Sequence, residues 1–291
     1  MDILVVGGTK FFGIPMVDAL INGGHQVSVA TRGKSDFPFE GRARHIVFDK
    51  TDPASVRAAL KDKRFDMIID KVAYSPNDVR SLLENAACEK YVQMSSCAVY
   101  KTIHTDTTED EFDAASYPLR WTDRLDDYDE TKRLAERAAL EFMPASSCAF
   151  VRYPIVLGPN DYTRRLHFYV EHVKERKPMF IDDLDTLSPF IHETEAGLFM
   201  AHLAEHFEPG PFNGASNGTV RIRDLLSYIE KAVGKKAVLD KSAEPAPFNG
   251  LPRDRSINTQ KAQRLGWNFY GLDNWLFPLI DKIASDNGGQ K

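Results

Sequence analysis

Cysteine is scarce in this sequence. Cys88, Cys97 and Cys148 are the three that 291 residues contain, and they lack the spacing of metal ligands. They read as small core residues of a protein from a reducing compartment, and no metal site is expected. An excess of basic charge is missing too: 37 Lys and Arg stand against 42 Asp and Glu, a net charge of −5. That leaves no global footprint for nucleic acid, so none is expected as a partner. No uncharged run reaches the roughly 18 residues a membrane helix needs, and no basic-then-apolar leader precedes the first apolar run. Together these absences point to a cytoplasmic protein without a membrane partner. What remains is a chain long enough to bury roughly three quarters of its unfolded surface, as one large α/β domain or two unequal ones.

The segment Val5-Val6-Gly7-Gly8-Thr9-Lys10-Phe11-Phe12-Gly13 sits between an apolar run, Ile3 to Val6, and a helical pattern of Ile14, Val17, Leu20 and Ile21. Strand, glycine-rich turn and helix in that order make a phosphate cradle, because the turn approaches a diphosphate closely and the helix start offers free N–H groups. Gly7 and Gly13 fit the first and third glycines of G-x-x-G-x-x-G, whereas Lys10 takes the middle place. Gly23-Gly24 ends the helix, and the second strand, His25 to Ala30, runs into Thr31-Arg32-Gly33. In a dinucleotide fold an acid at that corner binds the 2′-OH of NAD, while an arginine accommodates the 2′-phosphate of NADP. Arg32 stands there without an acid, which favours NADP, with NAD as the alternative. Asp49, after a short third strand at Ile46 to Phe48, could accept from an adenine amino group. It could equally cap the next helix, a role for which Thr51 and Asp52 compete.

Apolar runs recur at Asp66–Asp70, leading into Lys71-Val72-Ala73-Tyr74, and at Tyr91–Tyr100, with helical spacing between them over 77–87. Strands alternating with helices predict a doubly wound parallel sheet, with ligands beyond the carboxyl ends of the strands. Residues 102–127 are polar and acidic and read as a long loop over the site. The helix from Tyr128 to Phe142 then carries Tyr128 and Lys132 on one face. A lysine beside a phenol favours phenolate and lowers a pKa that is otherwise about 10, so the tyrosine can exchange a proton with a hydroxyl or carbonyl.

Glycine turn on the first strand, Ser95-Ser96 at the end of the fifth, then Tyr-x-x-x-Lys on the next helix: in that order the chain resembles the extended short-chain dehydrogenase/reductase superfamily, specifically the NAD-dependent epimerase/dehydratase family. The resemblance runs on through Val151 to Pro159, Phe190-Ile191-His192, Phe212-Asn213 and Asn258 to Trp267. It implies a Rossmann-like domain over 1–157, joined by a returning segment near 186–206, and a smaller substrate-binding region over 158–291. It further implies that Ser96 holds the reacting oxygen, that Tyr128 is the acid/base, and that Lys132 lowers its pKa and holds the nicotinamide ribose. On the same basis Gly7, Thr9, Lys10, Phe11, Phe12, Gly13, Arg32, Asp49, Val72, Ala73, Tyr153 and Ile155 face the cofactor. Tyr74, Ser95, Cys97, Arg253 and Arg255 face the substrate, and His192 is structural.

Two departures qualify the resemblance. Lys10 either widens the glycine loop or itself reaches a phosphate, and the segment Gly7-Gly8-Thr9-x-Phe11-x-Gly13 is most similar to an atypical branch that includes chloroplast stem-loop RNA-binding proteins. Cys97 and Ala98 stand where dehydratases carry an Asp-Glu pair, which argues against sugar dehydration. The expected activity is hydride transfer at a hydroxyl or carbonyl carbon of a nucleotide-sugar-like or other small polar substrate. The alternative is a non-catalytic dinucleotide-sensing or RNA-binding protein on the same fold. A homodimer is expected, built on Leu82, Leu83, Leu134 and Ala138 of two helices.

Overall fold

A computed structural model describes residues 1–286; the last five residues of the expected second region lie outside them. In chain order the first half comprises β1 (Asp2–Val6), α1 (Gly13–Asn22), β2 (Gln26–Thr31), β3 (Arg44–Val47), α2 (Pro53–Leu60), β4 (Arg64–Asp70), α3 (Pro76–Leu83), β5 (Ala87–Ser96), α4 (Tyr128–Phe142) and β6 (Cys148–Tyr153). There follow β7 (Ile155–Leu157), α5 (Arg165–Glu175), β8 (Pro178–Met179), β9 (Leu187–Ser188), β10 (Phe190–His192), α6 (Glu193–Glu205), β11 (Gly210–Asn213), β12 (Val220–Arg221), α7 (Ile222–Val233), β13 (Val238–Leu239), α8 (Gln260–Arg264) and α9 (Leu276–Ser285).

Seven strands form one parallel sheet in the order β11-β6-β5-β4-β1-β2-β3. The expected doubly wound α/β fold is the fold observed. Ile3 to Val6 and Met67 to Asp70 are buried on both faces, which is why these strands read as continuous apolar runs rather than alternating ones. Helices α2 and α3 begin where short polar caps precede prolines. Asp52 accepts from the Ala54 amide ahead of Pro53, and Ser75 accepts from the Asp78 amide ahead of Pro76.

One core packs α1 and α6 against the sheet through Met16, Val17, Leu20, Phe199, Met200 and Leu203. On the other face Val56, Leu60, Val79, Leu82, Ala135 and Ala138 join α2, α3 and α4 to it. Of the four residues from which a dimer bundle was expected, Leu82, Leu134 and Ala138 are buried inside the protomer, and Leu83 is partly buried against this core. A third core, from α5, α7 and α9, organises the second region.

The returning segment is longer than 186–206. After α6 the chain adds β11 beside β6, and Ala262 and Phe269 complete the first core. The sheet order changes direction at β1, between β4 and β2, which opens a crevice above the glycine turn.

Candidate active site

The turn after β1 is shaped by contacts that exclude side chains. Gly7 has φ +88°, and a Cβ there would lie 2.6 Å from Val72 Cγ1. At Gly13 a Cβ would meet the Gly8 carbonyl oxygen at 2.7 Å, so the turn and the start of α1 pack backbone to backbone. Lys10 neither widens nor opens this turn: its carbonyl accepts from the Gly13 amide at 3.1 Å, and its side chain is exposed. The left-handed residue is Phe11, at φ +56°, whose ring is buried between Phe12 and Tyr162. Among the described residues no protein acceptor takes the amides of Thr9, Lys10, Phe11 or Phe12. Four such donors at a helix start with no acid in its first turn fit a diphosphate.

At the far corner, the Gly33 amide donates to Thr31 Oγ1 at 3.0 Å and leaves Arg32 exposed. Asp49 does not cap α2, the role Asp52 takes. One of its oxygens accepts from the Thr51 amide and hydroxyl, at 3.0 and 2.8 Å. These bonds, reinforced by Arg32 and Lys34 nearby, hold its carboxyl below the usual range. The residue after it, Lys50, turns inward to pair with Asp70, which also accepts from the Tyr91 hydroxyl at 3.0 Å.

Ser96 ends β5, and its Oγ accepts from the Ala98 amide at 3.2 Å. Tyr128 opens α4 behind its cap Asp127, with its hydroxyl beside Ser96. Lys132, one turn on, is fully buried and donates to the carbonyls of Ala73 at 2.9 Å and Met94 at 3.0 Å. Tyr128 does not titrate as expected. Burial raises its pKa, opposed by neighbouring Ser96 and by the cations Arg124 and Arg165. Lys132 is held by its two carbonyl partners, and burial pushes its ammonium down to about 8. Tyr128 is two-fifths exposed, so the upward push on its phenol is moderated by water. In this form the pair presents a protonated phenol.

Among the remaining expected residues, Tyr74 reaches the site. Its ring has the Arg124 guanidinium 5.4 Å and the Lys132 ammonium 5.9 Å from its centroid. Val72 covers Gly7, and Ala73 offers its carbonyl to Lys132. The Tyr153 side chain points away, its hydroxyl donating to the Ala196 carbonyl at 2.6 Å, while Ile155 pairs with Phe190 in β10. Ser95 faces the opposite way from Ser96, as strand alternation requires, and donates to Glu136 at 2.5 Å. Cys97 is buried with its thiol on the Arg152 carbonyl. Arg253 pairs with Asp183, and buried Arg255 donates to the Leu187 carbonyl and Ser188 hydroxyl. Ser95, Cys97 and Arg255 are thus held inside the protein, whereas Arg253 is exposed beside Asp183. His192 caps α6 through Nδ1, as a structural residue does.

The loop 102–127, expected over the site, lies largely against other parts of the fold. Arg152 holds the Glu109 and Phe112 carbonyls, Thr107 binds Ser256, and Asn77 holds Asp123, so the segment straps the outside of β6, β11 and α4. Its end delivers Arg124, the loop after β7 delivers Tyr162, and the start of α5 delivers Arg165. Arg124 and Tyr162 carry no pattern that sequence reasoning could use.

Residues 3–88 and 75–217 match the model of the NAD dependent epimerase/dehydratase family. The chain belongs to that family. A UDP-glucose 4-epimerase from Thermotoga maritima, solved with UDP-glucose, superposes with TM-score 0.76 at 18% identity, covering 97% of this chain and 98% of that one. A UDP-glucuronic acid 4-epimerase from Bacillus cereus, in complex with UDP-glucuronic acid and NAD, gives 0.72 at 20% identity, covering 97% and 99%. In sequence, 193 residues are 28% identical to the chloroplast stem-loop binding protein of 41 kDa b of Arabidopsis thaliana, covering 61% of this chain. The chain spans about half of that relative, 48% of its length.

Proposed function

We propose that this member of the family is an NAD(P)-dependent oxidoreductase or epimerase acting at a hydroxyl or carbonyl carbon of a nucleotide-sugar-like or other small polar substrate. The observations that carry this reading are Tyr128 near Ser96 and Lys132 one turn further along α4, at the strand ends beside a turn of unpaired amides. When bound, the nicotinamide cofactor supplies the hydride acceptor and donor. Gly7 to Gly13 cradle its diphosphate, Arg32 and Asp49 flank the adenosine end, and the open corner at Arg32 favours NADP, with NAD the alternative.

Ser96 Oγ holds the reacting oxygen, and the Tyr128 hydroxyl gives it a proton or takes one from it. Lys132 has three N–H donors and spends two on carbonyls, leaving the third for a ribose hydroxyl. Arg124 and Arg165 stabilise negative charge on the phenol. Cytoplasmic location is part of the same proposal. A homodimer through α3 and α4 would have to use their outer, charged faces, where Arg80 pairs with Glu84 and Arg137 with Glu141.

The test is turnover of UDP-hexoses by the purified protein with added NAD(H) or NADP(H), followed by product analysis. Tyr128→Phe keeps the ring and removes the proton, so turnover falls by about 10² to 10⁴ while cofactor affinity stays at the parent value. A Tyr128→Phe protein as active as the parent rules out the assigned role. The second reading, a non-catalytic RNA-binding or dinucleotide-sensing protein, draws on the likeness to the chloroplast relative. It predicts stem-loop RNA binding with no turnover in the same assays; the net charge of −5 counts against it.

A further inference from the structure

The end of β4 holds a cation that the proposed reaction does not use. Lys71 anchors its amide on the Val6 carbonyl at 3.1 Å, and its side chain runs beside the glycine turn, with Nζ 4.2 Å from the centroid of the Phe12 ring. The residue is 7% exposed. Among the described residues its ammonium has no carboxylate partner and no hydrogen bond to protein; the adjacent Asp70 is taken by Lys50, Tyr91 and the Val72 amide. An unpaired ammonium on a largely buried side chain is costly, and an aromatic face compensates only in part. Phe12, the residue it lies against, opens α1, where the free amides of the turn already gather positive potential and no acid offsets it. Two cationic features without a counter-ion therefore both border Phe12.

We infer that Lys71 is a ligand for the diphosphate of a dinucleotide seated on the glycine turn, completing from the β4 side the ring of donors that Thr9 to Phe12 begin. The inference rests on the dinucleotide reading above and deepens it: the chain replaces a purely main-chain cradle by one with a buried point charge. Lys10, at the middle-glycine position, is exposed and does not supply that charge.

Burial alone acts on Lys71, pushing its ammonium down to about 8. The ionisable groups on the surrounding elements are otherwise engaged or remote. Lys10 faces solvent, Tyr153 of β6 bonds the Ala196 carbonyl, and Glu195 of α6 bonds Ser216 and the Tyr270 amide. A bound phosphate favours the ammonium and raises its pKa. Diphosphate affinity is therefore full below about pH 8 and declines as pH rises above it.

The experiment is calorimetric titration of the full chain with ADP-ribose, NAD and adenosine, for the parent, Lys71→Met and Lys71→Arg. Lys71→Met should lower affinity for ADP-ribose and NAD by about tenfold or more and leave adenosine unaffected. It should abolish the decline above pH 8, and the variant should melt at or above the parent temperature. Lys71→Arg should keep most of the affinity. Undiminished ADP-ribose binding by Lys71→Met overturns the assignment. So does a lower melting temperature with equal losses for ADP-ribose and adenosine, the result expected of a packing role. A parent that binds none of the three overturns both this inference and the proposed function; a parent that binds while the variant matches it overturns the lysine alone.

Discussion

At the scale of single residues, charge and solvent decide what each group can do. Lys132 and Lys71 are both lysines lowered to about 8 by burial, yet one has two carbonyls and the other has none. Arg32 is the opposite case, exposed and unshielded at the end of β2. On the proposed reading its guanidinium would meet a 2′-phosphate and would offer a 2′-hydroxyl nothing that a water would not. Arg32→Ala should therefore weaken NADPH binding by roughly 1.5–3 kcal/mol, the range for a charge-assisted hydrogen bond, and leave NADH nearly unchanged. Fluorescence titration of the two reduced cofactors measures this directly. Equal small effects on both would remove the reason for preferring NADP.

At the scale of elements, the strap 102–127 hangs on a buried ion pair. Arg152 and Glu136 are 1% and 0% exposed, and their 2.8 Å contact joins β6 to α4. The same guanidinium donates to the Glu109 and Phe112 carbonyls, at 2.8 and 3.0 Å. Removing one partner strands a charge in the core, so Glu136→Ala should cost about 3–5 kcal/mol. It should also free the strap: limited trypsin digestion, read by mass spectrometry, should cleave after Lys101 and Arg120 faster than in the parent. The double change Glu136→Leu, Arg152→Met should recover much of the stability without re-tethering the strap, because an apolar pair fills the space but holds no carbonyl. If stability and cleavage return together, the strap is held by other contacts.

At the scale of the whole molecule, the second half of the chain supports the site from behind. α6 returns to pack on α1 because Gly197 has no side chain: a Cβ there would stand 2.3 Å from the Phe12 carbonyl oxygen and 2.9 Å from the Met16 amide. Tyr153 reaches across to the same helix through the Ala196 carbonyl. Gly197→Ala must push α6 away or displace the first turn of α1, at a cost of roughly 1–3 kcal/mol for overpacking. Because that turn is the proposed cradle, ADP-ribose affinity should fall as well, although residue 197 lies behind it. A variant with a lowered melting temperature but parental affinity would show that α6 stabilises the fold without shaping the turn.

Much of this was legible in the order of residues. Continuous apolar runs at Ile3–Val6 and Met67–Ile69 mark strands buried on both faces, and their alternation with capped helices determines a parallel sheet. Gly7 and Gly13 mark the cradle, since only a missing Cβ permits those approaches; Tyr128 and Lys132 share a helix face by periodicity alone. The sequence had no means of deciding which neighbour each charge would meet. Ser95 and Ser96 are chemically alike, and strand register sends one to Glu136 and the other to the cleft. Arg253 and Arg255 look as available as Arg124 and Arg165, and long-range packing gives the first two their partners. Lys132 stands one turn from Tyr128, but carbonyls from β5 and the β4 turn take its ammonium. Local pattern specifies elements because it acts through backbone geometry; a charge's role depends on desolvation and on partners far away in the chain, and those exist only once the sheet has assembled.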